Sequence, residues 1–378
     1  MGAGSLGDSG VARAISSGGG KPADLALPQS TPTARLSVAD AIAASGARAR
    51  RRESGRIETL DAARLIAILA VVFLHSTETP TLKRFDLVGT FAVPFYLFAS
   101  LYFQARSLRR DASRNIVQYV VSRLKRLYLP FVAWTFIYLV ARNVKHLFVS
   151  DAPPVPFEWH HLWTGSAHHL WFLPYLIIAS LLSAFAARFS NTRPALRITI
   201  ITICALVGGV LAVVPRPDWL NHISGEEGYF FFQCWKALPS AFLGLALAWI
   251  LSNADDDSLI TPIVGLAGAL LTIGTVTDQL IHGYSRLERT LSGLGWLLAA
   301  LATWRGPWVQ WMARGGRHAY GIYLTHVLFI EAVQAIAHRA GLGSSIGLDA
   351  VTIIAGFFGG LLLTTALDKS RHTAWLNG

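Results

Sequence analysis

Charge is scarce in this chain. Only 15% of its 378 residues are Asp, Glu, Lys or Arg, while 53% are hydrophobic and the mean hydropathy is +0.44. So apolar a composition excludes an ordinary soluble enzyme and indicates a polytopic membrane protein. Cysteine is nearly missing as well. Cys204 and Cys234 both stand inside apolar runs, which argues against a disulfide framework or a zinc ribbon and leaves two small core side chains. No apolar segment occurs near the N-terminus, so no cleavable secretory signal is expected. Residues 1–55 are instead rich in Gly, Ser, Ala and Pro and end in RARRRESGR, a composition that cannot bury a core. They are expected to form a disordered cytoplasmic tail whose arginines suit anionic lipid. The formal charge of +11 does not point to nucleic acid, because the cations cluster between apolar runs rather than on one soluble domain. No long soluble segment remains. Any chemistry falls to the membrane-embedded domain, residues 56–378, and its loops.

Windows of about 20 apolar residues predict an all-α membrane bundle of about ten transmembrane helices. They lie near 58–76, 87–105, 128–147, 170–188, 198–215, 229–251, 259–281, 290–304, 318–337 and 347–367. Lys and Arg crowd alternate connections, among them Arg106 to Arg126, Arg188 to Arg197, Arg305 to Arg317, and Lys369 with Arg371. The facing loop 149–169 has neither. That asymmetry places both termini in the cytoplasm. The acidic loop at 255–257 does not overturn it, since acids contribute little to orientation.

The chain is organised around the run 60–76, LDAARLIAILAVVFLHS. Arg64 and His75 stand eleven positions apart, which on a helix returns to within about 20° of one direction, with about 16 Å between them along the axis. They share a face, one near an interface and the other inside the hydrocarbon. Ionisable groups there are costly and suggest function. Asp61 is the expected ion-pair partner of Arg64, and a neutral His75 suits removal of a proton from a hydroxyl.

Further candidates follow in order. In FAVPFYLFASLYF, Pro94 frees a backbone carbonyl that a neighbour or a ligand must satisfy. SRLKRLYLP offers Arg123, Lys125 and Arg126, either as orientation charges or as a clamp for the phosphates of an anionic cofactor. The outer loop carries His160 with His161 and His168 with His169; adjacent histidines on an extended loop point apart, and no metal is expected there. Its aromatic residues suit a membrane interface or a platform for sugar rings. In GRHAYGIYLTHVLFIE, steps of three put Tyr320, Tyr323 and His326 on one helical face, while Glu331 falls off it.

Together these stretches resemble the acyltransferase 3 family, integral-membrane enzymes that decorate bacterial glycans and other hydroxyl-bearing molecules. LDAAR is similar to the family's LDGLR opening, and Arg64 and His75 match its arginine, ten residues, histidine pattern. VPFYLFASLYF resembles VPLFFFLSGY, with Leu101 and Tyr102 departing where a glycine and a bulky residue are usual. SRLKRLYLP, HHLWFLPYL and HAYGIYLTH resemble RRLxRLxxP, HLWFL and SxxIYLxH. The resemblance implies a bundle of about ten helices, an acyl-CoA donor reached from the cytoplasm, and an acceptor hydroxyl in or across the membrane. It implies His75 as the catalytic histidine, supported by Arg64. Arg123 and Arg126 would hold the CoA phosphates, with His169, Trp171, Tyr323 and His326 lining the acceptor side. No SGNH-type domain follows the last span, so the membrane domain or a partner is expected to complete the transfer.

The leading expectation is an O-acetyltransferase of the bacterial inner membrane. It would use acetyl-CoA and a lipid-linked or nascent polysaccharide, such as a xanthan-type gum. The competing expectation is a transporter of a lipid-linked glycan or small anion that uses Arg64 and His75 for binding and proton coupling. A third is a purely structural role in polysaccharide assembly, in which those two residues are dispensable.

Overall fold

A computed structural model describes residues 57–110, 115–148, 154–190, 193–252, 262–302 and 304–378. The tail expected to be disordered, residues 1–55, and the acidic loop at 255–257 lie outside them. Among the described residues there is no strand. Helix α1 is Glu58–Ser76; a turn at Pro80–Lys83 and a 3-10 helix, Arg84–Phe91, lead into α2, Ala92–Arg110. Helix α3 comprises Ile116–Arg123, a π turn at Leu124–Tyr128, and Leu129–Phe148. After single turns at His161–Thr164 and His168–Trp171 come α4 (Phe172–Ser190), α5 (Pro194–Val213), α6 (Gly225–Ser252) and α7 (Pro262–His282). Then follow α8 (Arg286–Leu301), α9 (Pro307–Gly316) and α10 (Ala319–Arg339). Helix α11 is Ile346–Ile354, a π turn at Ala355–Gly359, and Gly360–Asp368; a 3-10 turn, Ala374–Asn377, follows it.

Among the described residues, nine helical stretches are long and apolar enough to cross a membrane. The remaining expected span, 290–304, is α8, which has only 16 residues. It stays in the bundle because its backbone meets that of α7: a Cβ on Gly268 would lie 2.5 Å from the Gly295 carbonyl, and one on Gly295 equally close to that of Gly268. Helix starts follow local chemistry. Asn115, Ser285 and Ser345 accept from the backbone N–H of Val117, Glu288 and Leu348, and Pro194 and Pro307 occupy first-turn positions.

Helices α1 and α4 are the most enclosed, whereas α5, α7 and α11 turn most of their length outward. Ile198, Leu206, Ile263, Ile273 and Leu362 form the exposed apolar exterior of these outer helices, a surface suited to lipid. The core draws on Ile68 and Val72 of α1, Phe95 and Phe98 of α2, Phe131 and Tyr138 of α3, Leu173 of α4, and Ile322 and Leu324 of α10. In lipid, apolar burial drives helix association weakly, so close contact and hydrogen bonds must hold the bundle. Pro94 shows the second device. It stands in the first turn of α2, and the carbonyl it cannot engage, that of Thr90, accepts from Arg289 Nε at 3.3 Å. A neighbour, rather than a ligand, resolves that expectation. Gly293 permits the approach, since a Cβ there would sit 2.3 Å from that of Pro94.

Helix α9 crosses the start of α1 at Gly316, where a Cβ would lie 1.7 Å from the Asp61 carbonyl. Gly316→Val should therefore destabilise the protein by about 1–3 kcal/mol or more, an overpacking cost. Thermal unfolding in detergent should show a clear drop in Tm. Gly274→Ala, whose Cβ meets open space, should leave it unchanged.

Candidate active site

Three helical segments bring three imidazoles together. His75 stands in the last turn of α1, His169 in the turn before α4, and His326 in α10. Ring centroids are 5.4 Å apart for His75 and His326, 5.0 Å for His169 and His326, and 6.1 Å for His75 and His169. His169 and His326 are buried, and His75 is half-buried. Tyr323 and Tyr138 flank the group, their ring centroids 5.4 and 5.1 Å from that of His169. Their hydroxyls do not reach the imidazoles. Tyr323 donates to the His169 carbonyl, and Tyr138 to the Leu324 carbonyl at 2.8 Å.

The hydrogen bonds of His326 fix its tautomer. Nδ1 lies 2.8 Å from the Tyr323 carbonyl and 3.1 Å from that of Ile322, and carbonyls only accept. Nδ1 therefore carries hydrogen, and in the neutral ring Nε2 presents a lone pair. That Nε2, and both ring nitrogens of His169, are buried and make no hydrogen bond among the described residues. Such orphans are uncommon and call for a water, a reactant or a proton. Of the residues singled out in the sequence, His75, His169, Tyr323 and His326 thus lie together. Trp171, the last residue of the His169 turn, stands apart. Its ring is 6.0 Å from that of Tyr175, and with His168, Glu226 and Tyr229 it lines a cavity of about 10 Å³, the size of one water.

Arg64 lies at the far end of α1, about 16 Å away by helical rise, and does not join the histidines. Its guanidinium pairs with Asp61 at 2.9 Å, as expected, and sits 5.4 Å over the Phe103 ring. Its carbonyl accepts from Tyr96 at 2.9 Å. Arg64, Arg123 and Tyr320 are the electrostatic neighbours of Arg126. The C-terminal turn closes over this end: Trp134 donates to the Leu376 carbonyl at 3.0 Å, and Gly378 approaches Tyr320 and the Arg126 carbonyl. Beside it an open cleft of about 440 Å³ is lined by Gln118, Val121, Ser122, Lys125 and Arg126. Arg123 does not line the cleft. Its Nε donates to the Tyr119 hydroxyl at 2.7 Å and its guanidinium stacks on that ring. Of the two expected phosphate-binding arginines, Arg126 faces a ligand-sized opening, accompanied by Lys125.

The outer loop departs from expectation. His160 and His161 do not point apart, because the chain turns there into a short helix, and their ring centroids are only 4.5 Å apart. Both meet Glu226 Oε2, His161 Nε2 at 3.1 Å and His160 Nε2 at 3.4 Å. Arg142 donates to Oε1 at 3.0 Å. These spacings are close to the edge of a tetrahedral metal site, about 3.3 Å for zinc–nitrogen bonds of about 2.0–2.1 Å. The wiring of His161 opposes that use. Its Nδ1 accepts the Glu158 backbone N–H at 3.0 Å, so the ring hydrogen is on Nε2 and is donated to Glu226. A metal at Nε2 would force hydrogen onto Nδ1, against that N–H. The group is a clasp between the outer loop and the start of α6. Glu331 pairs with Lys145 at 3.9 Å and plays no part in the histidine group. Two participants that sequence reading missed are Glu226 and Tyr138. An acid at the start of an apolar span is a visible signal for the first, whereas the second stands in an ordinary apolar run.

Glu226→Gln replaces charge-assisted bonds worth about 1.5–3 kcal/mol with weaker ones. Amide exchange over 158–165, followed by mass spectrometry, should quicken about tenfold or more, while exchange in α1 stays the same.

A family model described as an acyltransferase domain matches residues 57–368, from the first turn before α1 to the last residue of α11. Comparisons with curated proteins and with solved structures find no match. The matched region takes in both ends of α1 and every helix that faces the three histidines. It covers most of the chain, which therefore belongs to the acyltransferase 3 family and is a membrane acyltransferase.

Proposed function

We propose that the protein transfers an acetyl group from acetyl-CoA to a sugar hydroxyl of a bacterial exopolysaccharide or other surface glycan, for example a xanthan-type gum. The observation that carries this reading is the division of labour along α1. At one end Arg64 lies near Arg126, beside a cleft lined by Arg126 and Lys125; at the other His75 meets His169 and His326. The gap of about 16 Å suits a donor whose phosphates and thioester are joined by a long uncharged arm. The basic connections support a cytoplasmic cleft and cytoplasmic termini, with the opposite loops outside an inner membrane.

In this scheme Arg126 and Lys125 hold the CoA phosphates and Arg64 supports that end of the donor; Arg123 steadies the π turn through Tyr119. His75 takes the proton of the acceptor hydroxyl as its oxygen attacks the thioester carbonyl carbon. The carbon–sulfur bond breaks, and the departing thiolate recovers the proton from the imidazolium. His326, with hydrogen fixed on Nδ1, offers its Nε2 lone pair to orient His75, and His169 supplies a second polar group for the acceptor. Tyr323 sets the height of the His169 backbone. Trp171 faces the acceptor loop.

The test uses membranes from a host lacking its own copy of the gene, supplied with acetyl-CoA, with free thiol and polysaccharide O-acetyl measured together. Wild type should release thiol and restore the acetyl signal in NMR. His75→Ala, at equal protein level, should lower thiol release by about 10²–10⁴-fold, the usual range for a lost proton-transfer group. Arg126→Ala should raise the KM for acetyl-CoA with a smaller effect on kcat. Thiol release without polysaccharide acetylation would replace the acceptor. No thiol release, with glycan or anion movement that depends on Arg64 and His75, would replace the enzyme reading with transport.

A further inference from the structure

Asp349 is a buried carboxylate, 2% exposed, in the first turn of α11. Its oxygens face Glu78 and Thr79, two of the three residues that follow α1. Oδ1 accepts the Glu78 backbone N–H at 3.1 Å, and Oδ2 accepts that of Thr79 at 3.1 Å together with the Thr79 hydroxyl. Among the described residues no Lys or Arg pairs with it. Lys83, the next basic residue after Thr79 in sequence, goes to Asp86 at 3.8 Å. Its charge is thus borne by three donors and by the N-terminal end of α11, which favours an anion.

A carboxylate kept at the edge of the hydrocarbon without a cation is costly, and an isolated acid there invites a functional explanation. Its partners supply one. His75 is four residues before Thr79, and the intervening backbone is held from two other directions: the Thr77 hydroxyl donates to Asp86 at 2.6 Å, and Gln334 of α10 donates to Glu78 at 2.8 Å. Each of these outer bonds has an exposed or half-buried side chain as its acceptor, Asp86 and Glu78. Asp349 is the buried anchor.

We propose that Asp349 is a positioning residue for His75, fixing the outer end of α1 and with it the height at which the imidazole meets His169 and His326. The inference rests on the reading of His75 as the group that handles the proton. Asp349 lies over 270 positions from His75 in sequence and touches the chain beyond it, never the imidazole. Its effect is on geometry alone. A displacement of about 1 Å at a reacting group can lower turnover about a hundredfold, while the donor cleft at the other end of α1 is left as it was.

Asp349→Asn tests this. One amide oxygen can still accept a single N–H, but the NH₂ group faces donors where the carboxylate accepted. The variant and Thr79→Val, which removes only the hydroxyl bond, are compared with wild type and His75→Ala in the same host membranes, by thiol release from acetyl-CoA. Asp349→Asn should lower kcat by about ten- to a hundredfold with KM for acetyl-CoA within about twofold of wild type. Thr79→Val should lower kcat about three- to tenfold with the same unchanged KM, and it carries the test if Asp349→Asn does not accumulate. An unchanged kcat in both variants, with His75→Ala inactive, overturns the role of Asp349 and leaves that of His75. Loss of kcat together with a raised KM and a lowered Tm also overturns it, because a general structural defect then accounts for the loss. Full activity of His75→Ala overturns the reading beneath it.

Discussion

Everything at the centre of this protein depends on how closely α1, α10 and α11 approach one another. Lipid tails are as apolar as the side chains of a bundle core, so burial alone gives the helices little reason to meet. Glycine supplies the contact. A Cβ on Gly321 would lie 2.3 Å from the Thr364 side chain, one on Gly356 would meet Ile330 and Val72, and one on Gly360 would meet Thr325 and Ile322. These contacts surround His326 on two helices. With Gly316 holding the start of α1 against α9, they bring two ionisable rings from distant parts of the chain to a centroid separation of 5.4 Å.

The polar groups around the histidines are used unevenly. Tyr138 and Tyr323 could have satisfied the imidazoles, but their hydroxyls are bonded to backbone carbonyls. Those bonds hold α3 to α10 and α10 to the His169 turn, while the ring nitrogens of His169 and the Nε2 of His326 stay without partners. A half-satisfied network is costly, and open atoms are not confined to the histidines: Thr59, Ser76, Tyr175, Ser180 and Thr364 also bury a hydroxyl without a partner among the described residues. What sets the histidines apart is that three such ring nitrogens, from His169 and His326, gather in one place beside His75.

Much of this was legible in the sequence. Length and apolarity located nine crossing helices, and an eleven-residue spacing placed Arg64 and His75 on one face of α1. Steps of three along α10 brought Tyr323 and His326 to the same neighbour, His169. Periodicity, however, gives direction around one helix and nothing about a partner on another. The pair Arg123 and Arg126 shows a subtler limit of local pattern: the two remain electrostatic neighbours, but a π turn, Leu124–Tyr128, begins between them and only Arg126 lines the cleft. His160 and His161 failed for the opposite reason: an expected extended loop is a helical turn, so the two rings share a direction. Asp349 carried a readable sign, the lone acid in an apolar stretch, yet its partners stand some 270 residues away, beyond the reach of local pattern.

The length of α1 is itself a constraint on substrate. Helical rise fixes Arg64 and His75 about 16 Å apart, and neither end is free to slide, one gripped at Gly316 and the other at Thr79. A donor whose acyl carbon adjoins its phosphate, such as an acyl phosphate, cannot engage the basic cleft and the histidine together. On the proposed reading, a donor with a long neutral arm could, and the stretch of α1 between the two ends packs among apolar and aromatic side chains, Ile68, Val72 and Phe98, which such an arm would meet at little cost while its phosphates stayed at the open end. On the same reading the outer loop, with Trp171, Tyr229 and the Glu226 clasp, would be left to meet the acceptor from the other side, so that one rigid helix would measure the donor and keep the two substrates at opposite ends of the bundle until they met at His75.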